Sequence, residues 1–147
     1  MIALDTNILV YAHREESPEH PRALARLRAL AEGEARWAVP VFCLGEFVRV
    51  VTHPAVFHPP STLDEAVGAL DALLASPSLV VLSPGERYWP LLRDALTEAR
   101  ATGNLAFDAQ IVAVCRESGV RTLVTEDRDF RRFADFPAEG LSAQGDG

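Results

Sequence analysis

The chain has 147 residues, of which 48% are hydrophobic and 24% charged, with 21 acids against 14 bases and a formal net charge of −7. That composition describes one soluble globular domain able to bury a sizeable core. No apolar run reaches the roughly 18–20 residues that cross a bilayer, the acidic balance argues against broad electrostatic adhesion to nucleic acid, and the absence of lysine closes any mechanism that needs one.

The first strand is expected at residues 2–4, followed by Asp5-Thr6-Asn7 and a short helix to about Ala12. With no basic segment before this apolar run and Asp5 interrupting it, a signal peptide is not expected. Ser17-Pro18 reads as an N-cap with proline at the first helical position. The helix behind it carries Ala23, Leu24, Leu27, Leu30 and Ala31 on one face, and Gly33 ends it. Trp37-Ala38-Val39 is a short strand, and Pro40 is expected to start a helix that runs to about Val51. The prolines of residues 52–60 make a loop.

Thr62 and Glu65 form a capping box ahead of a helix with Leu63, Ala66, Val67, Leu70, Leu73 and Leu74 at helical spacing. Residues 79–82 (LVVL) read as a buried strand, and Ser83 with Glu86 as a second capping box. The next helix aligns Trp89, Leu92, Leu96 and Ala99 and stops at Gly103. Leu105–Ser118 is helical with Gly119 behind it, and residues 121–125 (RTLVT) form the last clear strand. Cys43 and Cys115 fall inside apolar helical patterns and read as reduced core residues of a cytosolic protein. From about Ala138 the residues are small and polar, so a domain over 1–137 with a flexible tail over 138–147 is expected. Alternating strands and helices imply an α/β fold with a parallel sheet of four or five strands, helices on both faces, and ligands beyond the carboxyl ends of the strands.

Several acids resist a purely local explanation. Glu46 is one of two charges on the otherwise apolar helix 40–51, which should be buried; the bland reading pairs it with Arg49 at i, i+3. Asp108 shares a stripe with Ile111, Val112 and Cys115, although a first-turn acid is also favoured by the helix dipole. The stretch 125–130 (TEDRDF) follows a strand and also reads as a polar turn, as Asp5 also reads as a helix cap. Taken as a set, two acids on apolar helical faces and two or three at strand ends would repel one another. Hard divalent cations remove that repulsion, and all-oxygen ligands suit Mg²⁺ or Mn²⁺. Two such ions can activate water and stabilise the leaving oxygen of a phosphodiester, with no lysine, cysteine or histidine nucleophile.

The segments LDTNILVYA, GEFVRVVTHP, TGNLAFDAQIVAVC and LVTEDRDF carry a resemblance, over about residues 1–136, to PIN domains of the VapC-type toxins of bacterial toxin–antitoxin pairs. The resemblance implies a PIN-like three-layer sandwich and a cytoplasmic, metal-dependent endoribonuclease. Asp5, Glu46, Asp108 and Asp127 would be ligands of Mg²⁺ or Mn²⁺, and Asp129 a further acid. Thr6 and Thr125 would steady the carboxylates, and Asn7 the turn. Metal-activated water would attack phosphorus in line and leave 5′-phosphate and 3′-hydroxyl ends. Arg128, Arg131 and Arg132 could hold RNA phosphates, or simply solvate a helix end. His13, His53 and His58 read as loop surface residues. Phe107 precedes the third acid where related chains often carry a polar residue. A VapB-type antitoxin and a homodimer are the implied partners. Receiver-like and haloacid dehalogenase readings need a lysine; the remaining rivals are a non-catalytic PIN-like RNA-binding protein and a PIN nuclease outside any toxin pair.

Overall fold

The computed structural model describes residues 1–144. In chain order the elements are β1 (Ile2–Leu4), α1 (Thr6–His13), α2 (His20–Glu32), β2 (Trp37–Pro40), α3 (Phe42–Val51), α4 (Leu63–Leu74), β3 (Leu79–Leu82), α5 (Tyr88–Ala99), α6 (Leu105–Glu117), β4 (Thr122–Val124) and β5 (Ala138–Glu139). Short 3₁₀ turns occupy Arg128–Arg132 and Leu141–Gln144. The five strands form one parallel sheet in the order β3-β2-β1-β4-β5, flanked by the helices. This is the expected α/β sandwich.

The topology decides where a site can form. From β1 the chain adds β2 and β3 on one side, then crosses over to add β4 and β5 on the other. The strand order therefore reverses at β1, and a crevice opens beyond its carboxyl end, next to β4. β1 pairs with both neighbours, Ile2 opposite Trp37 and opposite Thr122. Ala3, Leu4, Trp37, Leu123 and Val124 are fully buried, so the three central strands are fixed by packing on both faces.

Several element ends differ from the sequence reading. Pro40 closes β2 and α3 starts at Phe42. Pro40 has no N–H to give, and the next ladder bond is made by the Val41 N–H to the Leu82 carbonyl at 2.8 Å. α2 starts at His20, with Pro21 in its first turn, and the Ser17 carbonyl accepts from the His20 N–H instead of Ser17 capping the helix. The Thr62–Glu65 capping box forms as read, but Ser83 and Glu86 make none. There the Glu117 carboxylate accepts from the Gly85 and Arg87 N–H groups at 2.7 and 2.8 Å, and α5 starts at Tyr88. α5 buries Ala95 and Ala99 while Trp89 is 58% exposed, and the helix stops at Arg100 in the left-handed region, before Gly103.

The tail expected from Ala138 is corrected over its first residues. Ala138 and Glu139 pair with Leu123 and Val124, and Leu141 is buried; residues 145–147 lie outside the described residues. The reason lies on α2, where the sequence pattern pointed to leucines. Arg26 is buried, and its guanidinium reaches the Glu139 carboxylate at 2.9 Å. A buried guanidinium needs its partner, so β5 is held to α2. Truncation after Pro137 removes that partner, β5 and Leu141 together, and is expected to lower unfolding free energy by about 3 kcal/mol or more. Urea unfolding checks this, and unchanged stability would restore the tail reading.

Candidate active site

The crevice beyond β1 is built on Asp5. Its N–H donates to the Val124 carbonyl at 3.0 Å, extending the β1–β4 pairing by one residue. Its side chain then caps α1, with Oδ1 accepting the Thr6 N–H at 2.7 Å. Oδ2 accepts the Thr125 hydroxyl at 2.7 Å and Asn7 Nδ2 at 3.3 Å. The Cys43 thiol donates weakly to Oδ1 at 3.8 Å. Asp5 is only 5% exposed. Burial pushes its pKa from 3.8 up to about 6, against the Thr125 and Thr6 hydrogen bonds and with the help of Glu46 and Asp127.

Thr125 and Asn7 link the first and fourth strands. The Thr125 oxygen accepts from Asn7 Nδ2 at 3.1 Å and from the Asp127 N–H at 3.0 Å, while Asn7 Oδ1 accepts the Glu126 N–H at 3.2 Å. The turn after β4 is thus tied to the start of α1. Asp127 in turn caps the 3₁₀ turn, its Oδ1 accepting the Asp129 N–H at 2.9 Å. Thr6 also serves Glu46, its hydroxyl donating to Oε2 at 3.1 Å. The supporting roles expected for Thr6, Asn7 and Thr125 each correspond to a hydrogen bond here.

Glu46 is not buried as its apolar helix suggested. Only Cys43, Phe47 and Val51 of α3 are fully buried, and Glu46 lies at the rim with Arg49 3.7 Å away. The i, i+3 pair therefore exists, loose and exposed, alongside the Thr6 contact. Asp108, in the first turn of α6, is half-buried. Desolvation, then Asp127, Asp5, Asp129 and Glu46 in that order, push its pKa up to about 7.

Asp108, Asp127 and Asp129 each offer a carboxylate oxygen within 4.8 Å of the others. Asp5 and Glu46 stand outside that triad but share its surroundings. A cavity of about 260 Å³ is lined by Asp5, Glu46, Asp108 and Asp127. A larger groove of about 850 Å³ is lined by Glu46, Asp108, Asp127 and Asp129. Three acids thus form the wall between the two, with Asp5 behind it and Asp129 in front. Arg128, Arg131 and Arg132 are exposed on the 3₁₀ turn and line neither space. The cation at the groove is Arg49. His13 is not a loop residue: it ends α1, bonds Ser61 at 2.9 Å and packs edge-on against Phe47.

Sequence reasoning passed over Cys43, Arg49 and Phe57 as site residues. Cys43 and Arg49 sit three residues either side of Glu46 on α3, and that spacing was the available signal. Phe57 reaches the smaller cavity from the proline-rich loop, where no periodicity exists to reveal it.

The donor set fits a hard divalent cation: oxygens converge, their mutual repulsion is left largely uncompensated, and no lysine is present to neutralise them. Two expectations follow from the charges. Binding must displace the protons that Asp5 and Asp108 retain, so Mn²⁺ affinity should climb between about pH 5 and pH 8 with proton release at about pH 6. Calorimetry in buffers of different ionisation enthalpy checks this, and a flat affinity would contradict it. Second, the folded state binds the Asp108 proton more tightly than the unfolded chain, so ionisation destabilises the fold progressively from about pH 4 to about pH 7 and fully above. Asp108→Asn should therefore raise the Tm of the metal-free protein at about pH 8 and leave it unchanged at about pH 4; a lower Tm at pH 8 would contradict this reading.

Residues 2–136 match the PIN domain family. Ribonuclease VapC43 of Mycobacterium tuberculosis is 39% identical over 133 residues, covering 90% of each chain. Among solved structures, VapBC2 from Rickettsia felis, bound to a promoter DNA fragment, superposes with a TM-score of 0.69 at 23% identity, over 95% of this chain and 98% of that one. The sarcin-ricin loop cleaving toxin VapC20 of Mycobacterium tuberculosis gives 0.68 at 21% identity, over 92% and 96%. The chain carrying this acid-lined crevice belongs to the PIN domain family and, within it, to the VapC ribonucleases.

Proposed function

We propose that the protein is a Mg²⁺- or Mn²⁺-dependent endoribonuclease, the toxin of a VapBC-type pair, acting in the cytoplasm and restrained by a VapB-type antitoxin. The observation that carries the reading is the convergence of Asp108, Asp127 and Asp129 in front of Asp5 and Glu46, at the point where the strand order reverses. Relatives named as VapC ribonucleases and VapBC complexes support the activity and the partner. A homodimer is part of the reading by family likeness. No described helix is long and apolar enough to cross a membrane.

Asp108, Asp127, Asp5 and Glu46 would hold the ion, with Asp129 at the groove side. When bound, the ion supplies Lewis acidity to the phosphoryl group and a water of lowered pKa. The chain's own residues set the geometry. Thr125 and the Thr6 N–H hold the two Asp5 oxygens in place, so this carboxylate does not reorient when charge arrives. Asp127 is oriented by its contacts with the Thr125 oxygen and the Asp129 N–H. Among the described residues no histidine or cysteine lines either space, and the attacking group in this reading is a water, not the ribose 2′-hydroxyl. In-line attack then leaves 5′-phosphate and 3′-hydroxyl ends.

Incubating purified protein with total tRNA and rRNA tests the reading. Cleavage is expected with Mg²⁺ or Mn²⁺ and not with EDTA. Asp5→Asn and Asp108→Asn should each reduce the rate by about 10²-fold or more, since each removes charge from the ion's surroundings. Fragments carrying a 2′,3′-cyclic phosphate, or cleavage that persists in EDTA, would overturn it.

A further inference from the structure

The larger groove has a composition that the acids alone do not explain. One wall is a stripe of α3, Phe42, Gly45, Glu46 and Arg49. The other is a stripe of α6 with Phe107, Asp108 and Ile111. Positions at i, i+3, i+4 and i+7 fall on one face of a helix, so each wall carries its acid in the middle and an aromatic ring on the same face. Phe107 is 64% exposed, the highest value among the exposed large hydrophobic residues. Isolated exposed apolar residues are ordinary. This one directly precedes Asp108 and faces the same groove, whereas the exposed Leu63, Val67 and Leu74 of α4 line neither space. A glycine inside a helix weakens it, yet a Cβ at Gly45 would meet nothing within 4 Å, so packing does not require glycine there. Its effect is to leave that wall low. Arg49 is 68% exposed along its side chain and only loosely paired with Glu46, so its guanidinium is available to an anion.

An aromatic platform, a cation and a metal-binding set of acids in one groove of about 850 Å³ correspond to a base, a phosphate and the bond to be cut. We propose that the groove between α3 and α6 is a subsite for one unpaired ribonucleotide flanking the scissile phosphate, with its base stacked on Phe107 and its phosphate held by Arg49. The proposal rests on the ribonuclease reading above. Stacking needs an open π-face, which a base in a duplex does not offer, so single-stranded segments and loops are the substrates selected.

The test measures binding of a labelled, mixed-sequence single-stranded oligoribonucleotide by fluorescence anisotropy with Mn²⁺, in an Asp5→Asn background that cuts it at least about 10²-fold more slowly, read before cleavage sets in. Phe107→Ala should weaken binding about ten-fold and Phe107→Trp should restore it. Arg49→Gln should weaken binding and lower the slope of log K against log salt by about 0.7, a change Phe107→Ala should not make. Mn²⁺ affinity measured by calorimetry should be the same with and without Phe107→Ala. Equal RNA binding by Phe107→Ala and its parent would overturn the subsite. So would a loss that tryptophan does not restore, or one that tracks lost Mn²⁺ affinity or appears only toward an antitoxin peptide. If the unsubstituted protein with Mn²⁺ neither binds nor cuts the oligonucleotide, the ribonuclease reading fails and takes the subsite with it.

Discussion

The hydrogen bonds to the Asp5 carboxylate are the constraint on which the rest of the site depends. One oxygen takes the Thr6 N–H and the other the Thr125 hydroxyl, so a single buried side chain ties the end of β1, the start of α1 and the turn after β4 into one unit. Neither donor carries a full charge. The contacts orient the carboxylate without neutralising it, and its pKa rises despite them. A guanidinium in their place would hold the Asp5 pKa down and fill the space in front of the carboxylate.

The same logic extends to the other acids. The Asp108 pKa is pushed up to about 7 first by its own desolvation and then by the four carboxylates around it. Three arginines pair with acids elsewhere: Arg26 with Glu139, Arg14 with Glu16, Arg116 with Glu98. Among the described residues that line the groove, Arg49 is the one cation, at 3.7 Å from Glu46 and largely in solvent. Five of the 21 acids, Asp5, Glu46, Asp108, Asp127 and Asp129, meet at this one crevice. The acidic balance that argues against general adhesion to nucleic acid is compatible with binding RNA once divalent cations bridge the two.

Much of this was legible in the sequence, and the failures share a cause. Strand placement and the parallel sheet followed from short apolar runs between helical patterns, and the acids at strand ends were informative because the fold class places ligands there. Local readings of the acids were also right in part. Asp5 and Asp127 do cap the segments that follow them, and Glu46 does have Arg49 beside it. A carboxylate oxygen has more than one lone pair, so a cap and a place at the edge of an acid cluster are compatible in one side chain. The pattern failed where a partner lies far off in the chain. Nothing near Arg26 reveals Glu139, 113 residues away, so its burial and the pairing of β5 were invisible. Nothing near Gly85 reveals Glu117, which displaced the expected cap at Ser83. The three arginines after Asp127 could be read as an RNA grip or as a solvated helix end, and they are exposed on the 3₁₀ turn without lining either space.

The central claim is that these carboxylates converge to hold a divalent cation. Anomalous diffraction from crystals soaked in Mn²⁺ tests it most directly, because the manganese signal locates the ion without reference to activity. The account predicts a peak within about 2.0–2.3 Å of oxygens from Asp108 and from Asp127 or Asp129, on the side facing Asp5, and its loss in Asp108→Asn. Manganese at other surface acids, with none between these carboxylates, would contradict it.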